Sequence, residues 1–293
     1  MRVLVIGRTG QVATALCERA RTAEVVAMGR PDADLNDTRS LAHALDVARP
    51  DVVVNAAAYT AVDAAETDEA AAHALNGVAP GRLAELCAER DRPLIHISTD
   101  YVFDGQLDRP YREDDPTAPA SAYGRSKAAG EAAVAGSGAR ALIVRTAWVY
   151  APFGHNFMRT MLRLGAERDA LRVVADQRGN PTCALDIADG LLSLAERHAA
   201  WPSGATILHM TASGDTTWHG FAEAIFDASP YRPKVEAIPT SAYPTAASRP
   251  QNSRLDCGKI ARMFGVTLPP WQEGLPDLVR RTIAETGSGS APA

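Results

Sequence analysis

Lysine is nearly absent from this chain: three in 293 residues, at positions 127, 234 and 259, among 30 basic residues in all. With no basic block and a formal net charge of −5, it lacks the footprint that neutralises nucleic-acid phosphates or an anionic membrane surface. A pocket on an acidic protein can still be locally positive, so anionic small molecules stay admissible. Cysteine is scarce as well. Cys17, Cys87, Cys183 and Cys257 stand far apart with no CxxC pair, which fits isolated core thiols in a reducing cytoplasm rather than a disulfide or zinc framework. No run reaches the roughly 18 apolar residues of a membrane span. The opening MRVLVIG passes straight into an apolar strand, so no cleaved leader is expected. None of the seven histidines shows ligand spacing, and no metal site is expected. What remains, 46% hydrophobic and 22% charged, is the composition of a globular protein of one large domain or two ordinary ones.

Four short apolar runs mark the first half: RVLVIG (2–7), DVVVNAA (51–57), PLIHIS (93–98) and ALIVRTA (141–147), with a weaker fifth, EVVAM (24–28). They are rich in Val and Ile on both faces, as parallel strands between helices are. Helical stretches over 11–22, 38–48, 68–90 and 122–135 separate them. This alternation predicts a Rossmann-like, doubly wound parallel α/β sheet, whose ligands bind at the carboxyl ends of the strands. After about residue 148 the rhythm changes, and eight of the 19 prolines fall between 230 and 276, which predicts a smaller, loop-rich C-terminal region. The expected division is 1–147, completed by parts of 172–210, for the cofactor, and 148–171 with 211–286 for the substrate. Residues 287–293 are expected to be a disordered tail.

In VLVIGRTGQVATAL the glycine-rich turn closes the first strand. Gly7 permits a tight strand-to-helix turn, Gly10 lets the backbone approach a pyrophosphate, and Ala13 is small enough for close helix–strand packing. The helix start then offers free N–H groups to the anion. At the end of the second strand an acidic residue would bind the adenosine ribose and select NAD. Met28-Gly29-Arg30 stands there instead, and Arg30 can pair with a 2′-phosphate, which favours NADPH, with NADH as a second donor. Asp34 and Leu35 are placed to bracket the adenine.

The stretch AYGRSKAAGE holds Tyr123 and Lys127, four apart and so on one helix face. A phenol is a poor acid near neutral pH. An ammonium about 5 Å away would lower its pKa by about two units at an effective dielectric near 20. Seven tyrosines and three lysines would give such a spacing by chance well under once. Tyr123 is therefore expected to donate a proton to a developing alkoxide, with Lys127 tuning it and orienting a cofactor. Thr99, in the STD that ends PLIHISTD, supplies a hydroxyl for the substrate carbonyl. Trp148 follows the last strand of the first half, where an aromatic can wall a sugar or base.

These elements resemble the short-chain dehydrogenase/reductase superfamily in its extended, sugar-nucleotide-modifying branch. Whole phrases (GRTGQVATAL, VNAAAYTAVDAAE, HISTDYVFDG, AYGRSKAAGE, RTAWVYAPFGHNFMRTML, DQRGNPT, TTWHGFA, RPQNSRLD) resemble its dTDP-4-dehydrorhamnose reductase family, to about residue 275. The resemblance implies NADPH-dependent reduction of the C4 carbonyl of dTDP-4-dehydro-β-L-rhamnose. It implies Tyr123 as proton donor, Lys127 as its partner and Thr99 as assistant. It further implies Thr9, Gly10, Gln11, Val12 and Ala56, Ala57 and Ala58 along the cofactor. Thr99, Asp100 and Trp148 would face the deoxysugar nucleotide, and Arg249 and Arg254 would hold its pyrophosphate. Some members dimerise through Mg²⁺ held by glutamates. Ala15 stands where one of these would be, so a monomer or a homodimer without that metal interface is expected. His155, in WVYAPFGHNF, is passed over as a base because Tyr123 and Lys127 are present. Two other readings stay open: an epimerase or dehydratase that regenerates its own NAD, and a non-catalytic regulatory subunit.

Overall fold

The computed structural model describes residues 1–288. Its first half follows the expected alternation: β1 (Arg2–Ile6), α1 (Gln11–Arg19), β2 (Glu24–Met28), α2 (Thr38–Ala48) and β3 (Val52–Asn55). Next come α3 (Val62–Ala65), α4 (Glu69–His73), α5 (Ala79–Glu89), β4 (Leu94–Thr99), α6 (Ala122–Gly136) and β5 (Ala141–Thr146). Along β1 the side chains alternate between two cores. Val3 and Val5 join one cluster, while Leu4 and Ile6 join the other, which includes Leu41 and Leu83. This two-faced burial is why the strands read as unbroken apolar runs.

The helix expected over 68–90 is three pieces, with a π turn at Ala74–Val78 between α4 and α5. Pro80, in the first turn of α5, brings no backbone N–H to continue a regular ladder. The wide turn has its own packing. The Asn76 side chain bridges the Tyr59 backbone and the Ser126 hydroxyl, and the Asn76 backbone carbonyl lies so close to α6 that a Cβ on Gly130 would stand 2.0 Å from its oxygen.

In the second half come α7 (Phe157–Glu167), β6 (Ala170–Val174), α8 (Ala184–Glu196), β7 (Ala205–His209), α9 (Trp218–Asp227), β8 (Lys234–Ile238), α10 (Gly258–Phe264) and α11 (Trp271–Ser288). β7 returns to the main sheet beside β5, giving six parallel strands in the order β7-β5-β4-β3-β1-β2. α8 packs on α1, and Arg19 grips Asp189 across that contact. β6 and β8 pair separately, in parallel, next to α9. α11 takes in 287–288 of the expected tail; 289–293 lie outside the described residues. Among the described residues no helix is long and apolar enough to cross a membrane.

Candidate active site at the strand ends

Gly7 ends β1 with φ +123°, a region costly for any side chain, and its N–H bonds the Met28 carbonyl at 2.7 Å. A Cβ there would press on Ala56 C and Ala57 N at 3.3 Å, so the turn lies against the run Ala56–Ala58 beyond β3. Gly10 caps α1, and Thr14 N–H to the Gly10 carbonyl is the helix's first bond. The amides of Gln11, Val12 and Ala13 are left without intrahelical acceptors. Ala13 is wholly buried where α1 meets the sheet. Thr9 and Gly10 are exposed. A cradle that a Cβ would fill, facing unpaired amides, fits a dinucleotide pyrophosphate.

At the end of β2, Gly29 is packed against Arg8, whose Cβ would lie 3.1 Å from a Cβ on the glycine. Arg8 pairs with Asp32 at 2.8 Å, and Arg30 is exposed beside them. Sequence reasoning passed over Arg8; its signal was a basic residue inside the glycine turn. Leu35 is buried in the core with Leu41 and Leu45, so of the pair expected to bracket an adenine only Asp34 keeps an accessible side. Asp34 also shapes the turn, accepting the Asn36 amide at 3.0 Å.

The chemistry gathers past β4. Thr99 donates its hydroxyl to Asp100 Oδ1 at 3.0 Å and lies near enough to the Tyr123 phenol to lower its pKa somewhat. α6 is started by Ser121, which accepts the Gly124 amide at 3.1 Å. It can come this close only because position 124 has no side chain, since a Cβ would stand 2.2 Å from the Tyr101 carbonyl oxygen. Asp100 is buried. Its Oδ2 has no hydrogen bond of proper geometry, although the Ser253 hydroxyl is near enough to lower its pKa somewhat. Burial dominates and pushes the carboxyl up to about 6. Thr146 Oγ1, at the neighbouring end of β5, is another buried oxygen without a partner.

The leading influence on the Tyr123 phenol is burial, not the Lys127 charge that the spacing suggested. Enough protein surrounds the phenol for burial to push it far above its usual value, and the Asp100 charge adds to this, while Thr99 opposes. The Lys127 ammonium is drawn instead to the Ile97 carbonyl at 2.7 Å. It is itself pushed down to about 8 by burial, against the pull of Glu131. The Coulomb estimate treated the lysine as a permanent charge in a moderately polar medium. Desolvation of both groups outweighs it.

Trp148 sits past β5 with φ +49°, a strained setting for a bulky residue. Its ring stacks on Trp218, centroids 3.5 Å apart and planes 7° apart, and Gly179 packs against the Trp148 ring itself so closely that a Cβ would stand 2.3 Å from Cε2. Trp218 was quoted in TTWHGFA but given no role. It lines a cavity of about 600 Å³ between α7, β6 and the segment after β8, together with Gln177, Tyr243 and Arg249. Arg249 also binds Asp63 of α3 at 2.7 Å, joining the two halves. Arg254 does not line this cavity; its guanidinium holds Asn252 Oδ1 and the Asp108 carbonyl. His155 is exposed on the loop before α7, where Asn156 ties back to Gln11 Oε1 at 2.9 Å.

Residues 1–283 match the family described as RmlD substrate binding domain. A dTDP-4-dehydrorhamnose reductase from Burkholderia thailandensis is 46% identical, over 97% of this chain and all of that protein. The crystal structure of such a reductase from Clostridium acetobutylicum superposes with a TM-score of 0.90 at 33% identity, covering 96% of this chain and 99% of its own. Another, from Bacillus anthracis in complex with NADP, gives 0.89 at 30% identity, covering 97% and 99%.

Proposed function

Because the chain belongs to the RmlD substrate binding domain family, we propose that it reduces the C4 carbonyl of dTDP-4-dehydro-β-L-rhamnose with NADPH. The product is dTDP-β-L-rhamnose, the last step of dTDP-L-rhamnose synthesis. The observation that carries the chemistry is the meeting of the Thr99 hydroxyl and the Tyr123 phenol at the carboxyl end of the sheet. When bound, the cofactor supplies the hydride. Gly7, Gly10 and the start of α1 would hold its pyrophosphate, Ala56–Ala58 its flank, and Arg30 with Arg8 its 2′-phosphate. Tyr123, protonated across the whole working pH range, gives its proton to the oxygen that becomes the C4 hydroxyl. Thr99 hydrogen-bonds that oxygen and fixes the carbonyl, and Lys127 orients the ribose.

The division proposed for the chain assigns the substrate to 148–171 and 211–286, with the stacked Trp148–Trp218 pair as one wall and Arg249 near the pyrophosphate. Ala15 is wholly buried, which supports an assembly without a glutamate-held Mg²⁺ interface. The four unpaired cysteines support a cytoplasmic setting. The test is purified protein with NADPH and a panel of 4-keto nucleotide sugars, followed at the nicotinamide absorbance. Consumption of NADPH with the dTDP-4-keto-6-deoxy sugar is expected. No turnover with any sugar returns the chain to the regulatory reading, and a redox-neutral product to the epimerase or dehydratase reading.

A further inference from the structure

Beneath Tyr123 runs a buried polar line that the chemistry above leaves unused. Lys127 Nζ, besides its bond to Ile97, faces His96 Nε2 at 3.5 Å. His96 is 1% exposed on β4, and its other ring nitrogen, Nδ1, meets Asn55 Nδ2 at 3.1 Å. Asn55, equally buried at the end of β3, accepts the Ala57 amide on Oδ1 at 3.2 Å. That last bond fixes the direction of the rest. With Oδ1 turned to an N–H, Asn55 presents its NH₂ to the ring, so Nδ1 must accept. A neutral imidazole that accepts at Nδ1 carries its proton at Nε2. The His96 N–H therefore points at the Lys127 nitrogen, where an amine lone pair can accept it and an ammonium cannot.

We propose that His96, oriented by Asn55, is a positioning residue that favours the neutral amine form of Lys127, making this lysine a proton-exchanging member of the site rather than a fixed charge. This rests on the roles given above to Tyr123 and Lys127. Burial works in the same direction. Lys127 is lowered to about 8, and His96 is held neutral, driven well below its ordinary value first by burial and then by the lysine's charge. The other charge acting on Lys127 is Glu131, one turn on in α6. Glu131 is already matched by a two-pronged bond from Arg145 of β5 at 2.8 and 2.6 Å and by the Ser98 hydroxyl at 2.6 Å. Asp100 acts on Tyr123, one turn back. The proton count closes. Tyr123 loses a proton to the substrate oxygen and becomes phenolate. The Lys127 ammonium holds the proton that restores the phenol. The amine left behind accepts the His96 N–H until solvent recharges it.

The scarcity of lysine makes the test direct, because protein grown with ¹³Cε-lysine carries only three labelled positions. The Lys127 signal is the one absent from Lys127→Met, and it is read on the free protein without cofactor. In the wild type it is expected to titrate near pH 8. In His96→Gln, whose amide can turn an oxygen to the ammonium, the midpoint should rise about tenfold in proton affinity or more. The alkaline limb of kcat should move with it. A folded His96→Gln in which the Lys127 midpoint stays put overturns the proposal. Should that variant not fold, the ¹⁵N shifts of the His96 ring in the wild type decide: a proton on Nε2 with a bare Nδ1 supports it, and the reverse tautomer overturns it. Because the lysine titration needs no substrate, its outcome is separate from whether the chain reduces a dTDP-sugar.

Discussion

The β2 end and the β4–β5 end of the same sheet handle charge in opposite ways. At the β2 end, Arg8, Arg30 and Asp32 are exposed and keep their water, and their one ion pair belongs to a class worth about 0–1 kcal/mol. At the β4–β5 end, Asp100, Lys127 and His96 are buried and Tyr123 is half-buried, and burial is the largest cause of each pKa displacement. One end presents screened charges that can be exchanged at small cost. The other sets protonation states through desolvation, where a single polar atom matters. Substitutions should therefore have effects of different size and different salt dependence at the two ends.

The largest effect is expected at the phenol. Tyr123→Phe removes the proton donor and should lower turnover by roughly 10²–10⁴, the range for a lost general acid. Cofactor binding, measured by fluorescence titration, should survive. Near-normal turnover in this variant would mean that the proton comes from elsewhere. Next is Gly124→Ala, which places a methyl 2.2 Å from the Tyr101 carbonyl. Backbone must move at the joint between α6 and the Thr99 loop, at a cost of about 1–3 kcal/mol of stability. Turnover should fall with it because Thr99 and Tyr123 separate. Unchanged melting and unchanged kcat together would show that this close approach is not needed.

Asp100 gives a pH test of the buried end. Its folded pKa, about 6, lies above its ordinary 3.8, so between these values the folded protein holds a proton that the unfolded chain has lost. Stability should fall as pH rises through that window and be level above it. Asp100→Asn has no such loss. Relative to wild type it should gain up to about 3 kcal/mol between pH 4 and pH 7, from two units at 1.36 kcal/mol each. Its activity should drop because the Thr99 hydroxyl then bonds a neutral amide, which orients it more weakly than a carboxylate. Thermal melts of both proteins across pH 4–8 check this, and parallel curves would place the titration elsewhere.

Most of the fold could be read before any coordinates, and the reason is visible in β1. Alternate residues enter two different cores, so the strand is apolar throughout and the glycine turn that ends it is unmistakable. The sixth strand, Ala205–His209, lies within the 172–210 span expected to complete this domain but was not itself picked out, because ATILH is short and stands between loop-like flanks, and only the sheet edge beside β5 makes it a strand. The π turn at 74–78 escaped because Pro80 is its only local mark, and what packs it, the Asn76 bonds to Tyr59 and Ser126, is tertiary. Within the site, residue types and spacing singled out Thr99, Tyr123 and Lys127, which stand at the end of β4 and in the first turns of α6. The sign of the tyrosine shift did not follow, since spacing reveals distance along a helix but nothing of the dielectric around it. Trp218 and Arg8 went unassigned for a similar reason, as their partners, Trp148 and Gly29, are remote in sequence.

The smallest effect should come from the exposed end, and it is the one that salt can erase. Arg30→Ala should weaken NADPH binding by about 1.5 kcal/mol, the low end for a hydrogen bond to a charged group, because the guanidinium is exposed before it binds. NADH, without the 2′-phosphate, should bind almost as before. Arg8→Ala should cost less, since Asp32 already neutralises part of that charge at 2.8 Å. Both losses should shrink toward zero near 1 M salt, where the Debye length is about 3 Å, while the Tyr123→Phe defect should not change. Dissociation constants for the two cofactors at low and high salt, in wild type and both variants, make the comparison. Equal loss of NADPH and NADH affinity in Arg30→Ala would mean that the residue acts through folding. A loss that persists at high salt would mean that the β2 end is desolvated on binding and behaves like the other.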